Sequence, residues 1–151
     1  MINFTPFPDI ETKNLILRKM IYNDISDLFE MRKDSRMNEY IDTKLDENIN
    51  ETKAYIDKMN IGVDENKWIV WAIEHKQSKK VIGSICIWNI NIELENGELG
   101  YGIIPGYQGQ GLMREASLSV IEYGFNVMKL KAVDAYTEEH NVKSINLLEK
   151  C

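Results

Sequence analysis

A chain of 151 residues, 44% of them hydrophobic, is long and apolar enough to form one globular domain with a buried core. A formal charge of −6 with no Lys/Arg-rich run argues against a nucleic-acid partner, and no window reaches the apolar length of a membrane span, so neither nucleic acid nor membrane is expected as a partner. Two cysteines, Cys86 and Cys151, make neither a disulfide framework nor a zinc site, and the start MINFTPFPDIETK lacks the basic and apolar regions of a signal peptide, so the expected home is the reducing cytoplasm.

Along the chain, NLILRK (Asn14 to Lys19) alternates polar and apolar residues as a half-buried strand does. YNDISDLFEMRKD follows with Asn23 or Asp24 as a cap and Ile25, Leu28, Phe29 and Arg32 at helical spacing. ENINETKAYIDKMN predicts a second helix with Ile49, Ala54, Ile56 and Met59 loosely on one side. WIVWAIEH and KVIGSICIWNINI, rich in β-branched and aromatic residues, flank the polar KQSKK and predict an antiparallel hairpin. LGYGII forms a third such strand after the polar link ELENGE. A long helix from about Gly109 to Met128, the strand KAVDAYT and a last helix over HNVKSINLLEK complete the order β-α-α-β-β-β-α-β-α. A helical crossover sets the strands before and after the long helix parallel. The expected fold class is therefore α/β: a mixed, mostly antiparallel sheet with helices on both faces. No repeat or linker divides residues 1–151, which read as one domain.

Between the third strand of the meander and the long helix, three glycines fall within six residues, Gly106-Tyr107-Gln108-Gly109-Gln110-Gly111. Glycine is a poor helix former. A helix N-terminus carries about four unpaired N–H groups and roughly half a positive charge, so a glycine-rich strand-to-helix corner suits an anion such as a phosphate. An ordinary tight turn is the alternative. No Lys-Ser/Thr follows the last glycine, which excludes a P-loop, and Gly106-x-x-Gly109-x-Gly111 reverses the dinucleotide spacing.

Gln108-Gly109-Gln110-Gly111-Leu112-Met113 resembles the Q/R-x-x-G-x-G/A motif of the GNAT superfamily of N-acetyltransferases. ETKNLILRKM, VIGSI, ELGYGI, REA and HNVKSINLLEK are similar to stretches of its RimJ/RimL-type branch, which acetylates ribosomal-protein N-termini and polyamines. The resemblance spans nearly the whole chain and agrees with the element order. It implies transfer of an acetyl group from acetyl-coenzyme A, as cosubstrate and without a metal, directly to a primary amine: a protein N-terminus, a polyamine or another small amine. Acylation of an antibiotic-like amine and a non-catalytic coenzyme-binding module are the rivals. Met113 departs from the small residue of the motif. Relatives continue past the position of Cys151 into two closing strands that help build the acceptor side, so that side is expected to be incomplete and the far edge of KAVDAYT uncovered. A homodimer through that edge is among the expectations.

The resemblance also implies roles for single residues. The corner from Gln108 through Gly109, Gln110, Gly111 and Leu112 to Met113 would hold the coenzyme's pyrophosphate, and the backbone of Ile103 and Ile104 would pair with the pantetheine amides. Aminolysis of a thioester needs a neutral amine, and Glu98 is the candidate base, with a solvated carboxylate as the alternative. Glu93 and Glu95 are poorer candidates. Asn141 matches an asparagine that contacts the pantetheine arm, though it could equally cap the last helix. Ser144, one turn on, matches a serine placed to relay the leaving-group proton. His75 and His140 read as structural, Trp68, Trp71 and Trp88 as sheet and core residues with the lining of an acceptor groove as the alternative, and Cys86 as a buried hydrophobe and no nucleophile.

Overall fold

A computed structural model describes residues 2–34 and 45–134 of the chain. Six strands form one sheet in sequence order: β1 (Ile10–Glu11), β2 (Leu15–Arg18), β3 (Ile69–His75), β4 (Val81–Asn91), β5 (Asn96–Ile103) and β6 (Ala132–Asp134). The pairings from β1 to β5 are all antiparallel, and β5 pairs with β6 in parallel through Asn96–Ala132, Gly97–Val133 and Glu98–Asp134. Three α-helices accompany the sheet among the described residues: α1 (Ile25–Arg32), α2 (Ile49–Asp64) and α3 (Leu112–Asn126). The mixed, mostly antiparallel architecture is the one expected. β1 is an addition that the sequence pattern did not signal, being two residues long and held by its pairing with β2. The last helix and the strand residues after Asp134 lie outside the described residues.

Alternation along β3 shows why helices cover both faces. Ile69, Trp71 and Ile73 point into a core shared with Leu112, Ala116, Val120 and Tyr123 of α3, whereas Val70 and Ala72 point the other way, to Leu28 and Met31 of α1 and Ile56 of α2. Trp71 is fully buried, sets its ring edge-on to Tyr123 at 5.4 Å, and donates from Nε1 to the Pro8 carbonyl at 2.7 Å.

The buried face of α2 differs from the expected one. Asn48 caps the helix by accepting from the Glu51 N–H, and the residues that face inward are Thr52, Ile56 and Val63, while Ile49 and Ala54 are exposed. Asp24 does precede α1, yet its carboxylate caps nothing in that helix. It accepts from the Ile21 N–H and takes both Nη groups of Arg18 at 2.9 Å, while Arg18 Nε reaches Glu74 at 2.8 Å. This ion pair, with Asp24 buried and Arg18 half-buried, ties the α1 entry to β2 and β3.

Candidate active site at the β5–α3 corner

β5 leads through Ile104 and a 3₁₀ turn, Pro105–Tyr107, into the glycine corner. Gly109 and Gly111 have φ of 80° and 77°. These left-handed conformations explain why α3 begins at Leu112 and not near Gly109 as expected, for a helix cannot pass through them. An added Cβ at Gly106, Gly109 or Gly111 would meet no described atom within 4 Å. Backbone conformation therefore requires glycine at 109 and 111; at 106 neither φ nor crowding does.

The amides of this corner divide into two groups. The Tyr107 and Gln108 N–H groups are satisfied within the 3₁₀ turn, at 3.0 and 3.2 Å, and the Glu115 N–H bonds the Gly111 carbonyl at 3.1 Å. Between them, the N–H groups of Gly109, Gln110, Gly111, Leu112, Met113 and Arg114 find no acceptor among the described residues. They cluster at the positive end of a 15-residue helix. The side chains of the corner brace it from within: Gln108 Nε2 donates to the Ile103 carbonyl at 3.1 Å and Gln110 Nε2 to the Gly106 carbonyl at 3.4 Å. Leu112 is buried, and Met113 packs partly against the core, so its bulk turns inward and leaves its N–H in the row of unpaired donors.

A carboxylate in the first turn of α3 would oppose an anion, and Glu115 stands there. Its side chain is drawn away to the β1–β2 turn. Thr12 Oγ1 donates to Oε2, the Asn14 N–H donates to the same oxygen at 2.7 Å, and Asn14 Nδ2 donates to Oε1 at 2.8 Å. Burial pushes the Glu115 pKa up, but these hydrogen bonds and the Lys13 charge outweigh it and hold the carboxyl below its ordinary value. Glu115 thus fastens the start of α3 to the sheet, a role that sequence reasoning missed. Its partners lie more than a hundred residues away, and no local pattern announces them.

The edge of β5 turned away from β4 is the natural place for an extended ligand. The Ile104 N–H donates to the Ile82 carbonyl at 2.8 Å, so its backbone faces β4. By strand alternation Leu99, Tyr101 and Ile103 face the opposite edge. Of the expected pair, Ile103 presents its N–H to that edge, whereas the donor of Ile104 is spent on the sheet. The Tyr101 N–H faces the same edge as that of Ile103.

On the other side of β4 and β5 a cavity of about 240 Å³ opens beneath α1 and α2. Leu28, Met31, Arg32, Tyr55, Met59 and Val70 wall it, over a floor of Ser84, Cys86, Gly100, Tyr101 and Gly102. A Cβ at Gly100 would come 3.0 Å from Cys86 Sγ and 3.3 Å from Trp88 Nε1. Burial pushes the Cys86 thiol up to about 12, so it is protonated at neutral pH and no nucleophile, as expected. Glu98 shares the face of Gly100 and Gly102 by alternation. It is half-buried, pairs across the sheet with Trp88, and accepts from Asn89 Nδ2 at 2.8 Å.

Trp88 is 48% exposed beside this floor and is no core residue; Trp68, by contrast, is half-buried against Gly62, with its Nε1 on the Met59 carbonyl at 3.0 Å. Glu93 and Glu95 are exposed at the β4–β5 turn. His75 pairs with Ser78 Oγ at 3.0 Å and sets its ring against Tyr107, a structural role. Asn141, Ser144 and His140 lie outside the described residues.

The family model for the acetyltransferase (GNAT) domain matches residues 14–151. An uncharacterized N-acetyltransferase of Bacillus subtilis strain 168, YoaA, is 29% identical over 144 residues, which cover 95% of this chain and 81% of the relative. Among solved structures, the ribosomal-protein-S5-alanine acetyltransferase from Vibrio fischeri superposes with a TM-score of 0.74 at 21% identity over 95% of this chain and 81% of its own. The spermidine N-acetyltransferase from Vibrio cholerae, in complex with CoA and spermine, does so with a TM-score of 0.75 at 22% identity over 91% and 79%. At these identities the two superpositions speak for the fold.

Proposed function

Because the chain belongs to the acetyltransferase (GNAT) domain family, we propose that it transfers the acetyl group of acetyl-coenzyme A directly to a primary amine of a protein N-terminus, a polyamine or another small molecule. The observation that carries this reading is the row of six unpaired amides, Gly109 to Arg114, at the head of α3. Such a row fits a pyrophosphate, whose oxygens accept from backbone donors with no side chain in the way. The Ile103 N–H and the edge of β5 beyond Glu98 would hold the amide-bearing arm. By resemblance, Asn141 contacts that arm and the Ser144 hydroxyl relays the proton of the leaving sulfur.

The coenzyme supplies an activated acyl thioester, and the protein's task is to deliver a neutral amine to it. An alkyl ammonium loses its proton to Glu98, directly or through one water. Asn89 fixes one carboxylate oxygen of Glu98, which leaves the other for the acceptor. The cavity under α1 and α2 lies on the same face and holds the body of the amine. A thiol-release assay with acetyl-coenzyme A and a panel of amines, with products identified by mass spectrometry, tests the reading. Thiol release coupled to N-acetylation is expected. Tight coenzyme binding without release for any amine would make the protein a coenzyme-binding module instead.

A further inference from the structure

The cavity beneath α1 and α2 has a charge pattern that the net charge of −6 does not suggest. Among the described residues its lining holds one formally charged side chain, Arg32, and no carboxylate. Arg32 is held in place on two sides. Its Nε donates at 2.8 Å to the buried carboxylate of Asp46, which also accepts from Thr52 Oγ1 at 2.8 Å. Its guanidinium carbon lies 3.7 Å from the centroid of the Tyr55 ring. A guanidinium clamped by a carboxylate and a ring keeps the rest of its rigid donor fork in one orientation, the arrangement that suits a carboxylate. Glu98 stands on the same face of the sheet, one side-chain step beyond Gly100. Along that face the acceptor site therefore has a negative pole at Glu98 and a positive one at Arg32.

We propose that Arg32 selects the acceptor, and that the acceptor is an amine whose body carries a carboxylate, such as a short amino acid or an acidic peptide, and not a polyamine. The inference rests on the acetyltransferase reading and narrows its substrate. The ammonium end of such a molecule meets Glu98, and its carboxylate meets the fork of Arg32. A polyamine brings a second cation to the positive pole, where it gains no partner and is repelled. Asp46 offsets part of the Arg32 charge, so the preference is set at about tenfold in KM, the scale of one charge-assisted hydrogen bond.

The experiment compares aminopentanoate, pentylamine and cadaverine, three acceptors of matched chain length, by initial rates and by calorimetric binding to the coenzyme A-loaded protein. Aminopentanoate is expected to show a KM about tenfold below that of cadaverine, with pentylamine between them. Arg32→Gln should bring the three within about twofold while kcat changes little, since the guanidinium positions the body of the acceptor and not the reacting nitrogen. That variant leaves Asp46 buried without its partner, so Arg32→Gln/Asp46→Asn is measured beside it, with thermal melting as the check on folding. Cadaverine bound and acetylated as well as aminopentanoate would overturn the proposal, as would a preference that survives in both variants. If no amine is acetylated yet aminopentanoate still binds selectively, the enzymatic reading fails and charge selection by the cavity stands. If binding is unselective as well, both fall.

Discussion

At Gly111 the φ of 77° and the empty space around a would-be Cβ separate two costs of substitution. Gly111→Asp must hold a non-glycine residue in the left-handed region, which costs about 1 kcal/mol, and Asp tolerates that region better than most. No described atom lies within 4 Å, so no clash adds to it. For a chain of this size about 1 kcal/mol lowers the melting temperature by roughly 2–4 °C, and the variant remains folded. The second cost appears only with ligand. Acetyl-coenzyme A at about a hundred times its dissociation constant stabilises the parent by roughly 2.7 kcal/mol, a rise of about 5–10 °C. A carboxylate among the six amides competes for them and repels a pyrophosphate, so Gly111→Asp should lose nearly all of that rise. Gly111→Ala has the strain without the charge and should keep part of it. The assay is thermal melting of the three proteins with and without acetyl-coenzyme A. If the aspartate variant rises as far as the parent, the corner is not the pyrophosphate site.

Three further outcomes follow from the same geometry. Glu98→Gln should lower kcat by about a hundredfold or more while the coenzyme-induced melting shift persists; a parental rate and pH profile would remove Glu98 as the base. Glu115→Gln should destabilise the protein by about 1 kcal/mol at neutral pH through weakened bonds to Thr12 and Asn14. The folded-state pKa of Glu115 is lowered, so its contribution is present above the ordinary carboxylate range and lost as pH falls through the folded value. The variant should therefore show a flatter acid limb in a stability-versus-pH series. Cys86→Ala should keep the alkaline side of the pH–rate profile unchanged, because a thiol pushed up to about 12 does not titrate in the working range; a lost alkaline inflection would give the thiol a part in the reaction.

Much of this protein follows from information local in the chain. The alternation of NLILRK, the polar turn between two β-branched runs and the helical spacing of Ile25, Leu28 and Phe29 each act within a few residues. They specify the antiparallel strands, the two helices between them and the parallel crossover to β6. The glycine corner was equally legible, since a left-handed φ at 109 and 111 is a demand on the residue itself.

Tertiary structure decided what depends on partners distant in sequence. Which side of α2 is buried follows from where α1 and β3 lie, so Thr52 turns inward and Ile49 outward although their hydrophobicities suggest otherwise. Which edge of β5 the N–H groups of Ile103 and Ile104 face is fixed by the β4 register, where a shift of one residue exchanges the two edges of a strand. Glu115 reaches residues at the opposite end of the chain, and Arg32 finds Asp46 and Tyr55 only after α1 and α2 pack together. A hydrogen bond or an ion pair depends on angstrom-scale separation, and residues far apart in the chain acquire that separation only through the packing of the elements between them.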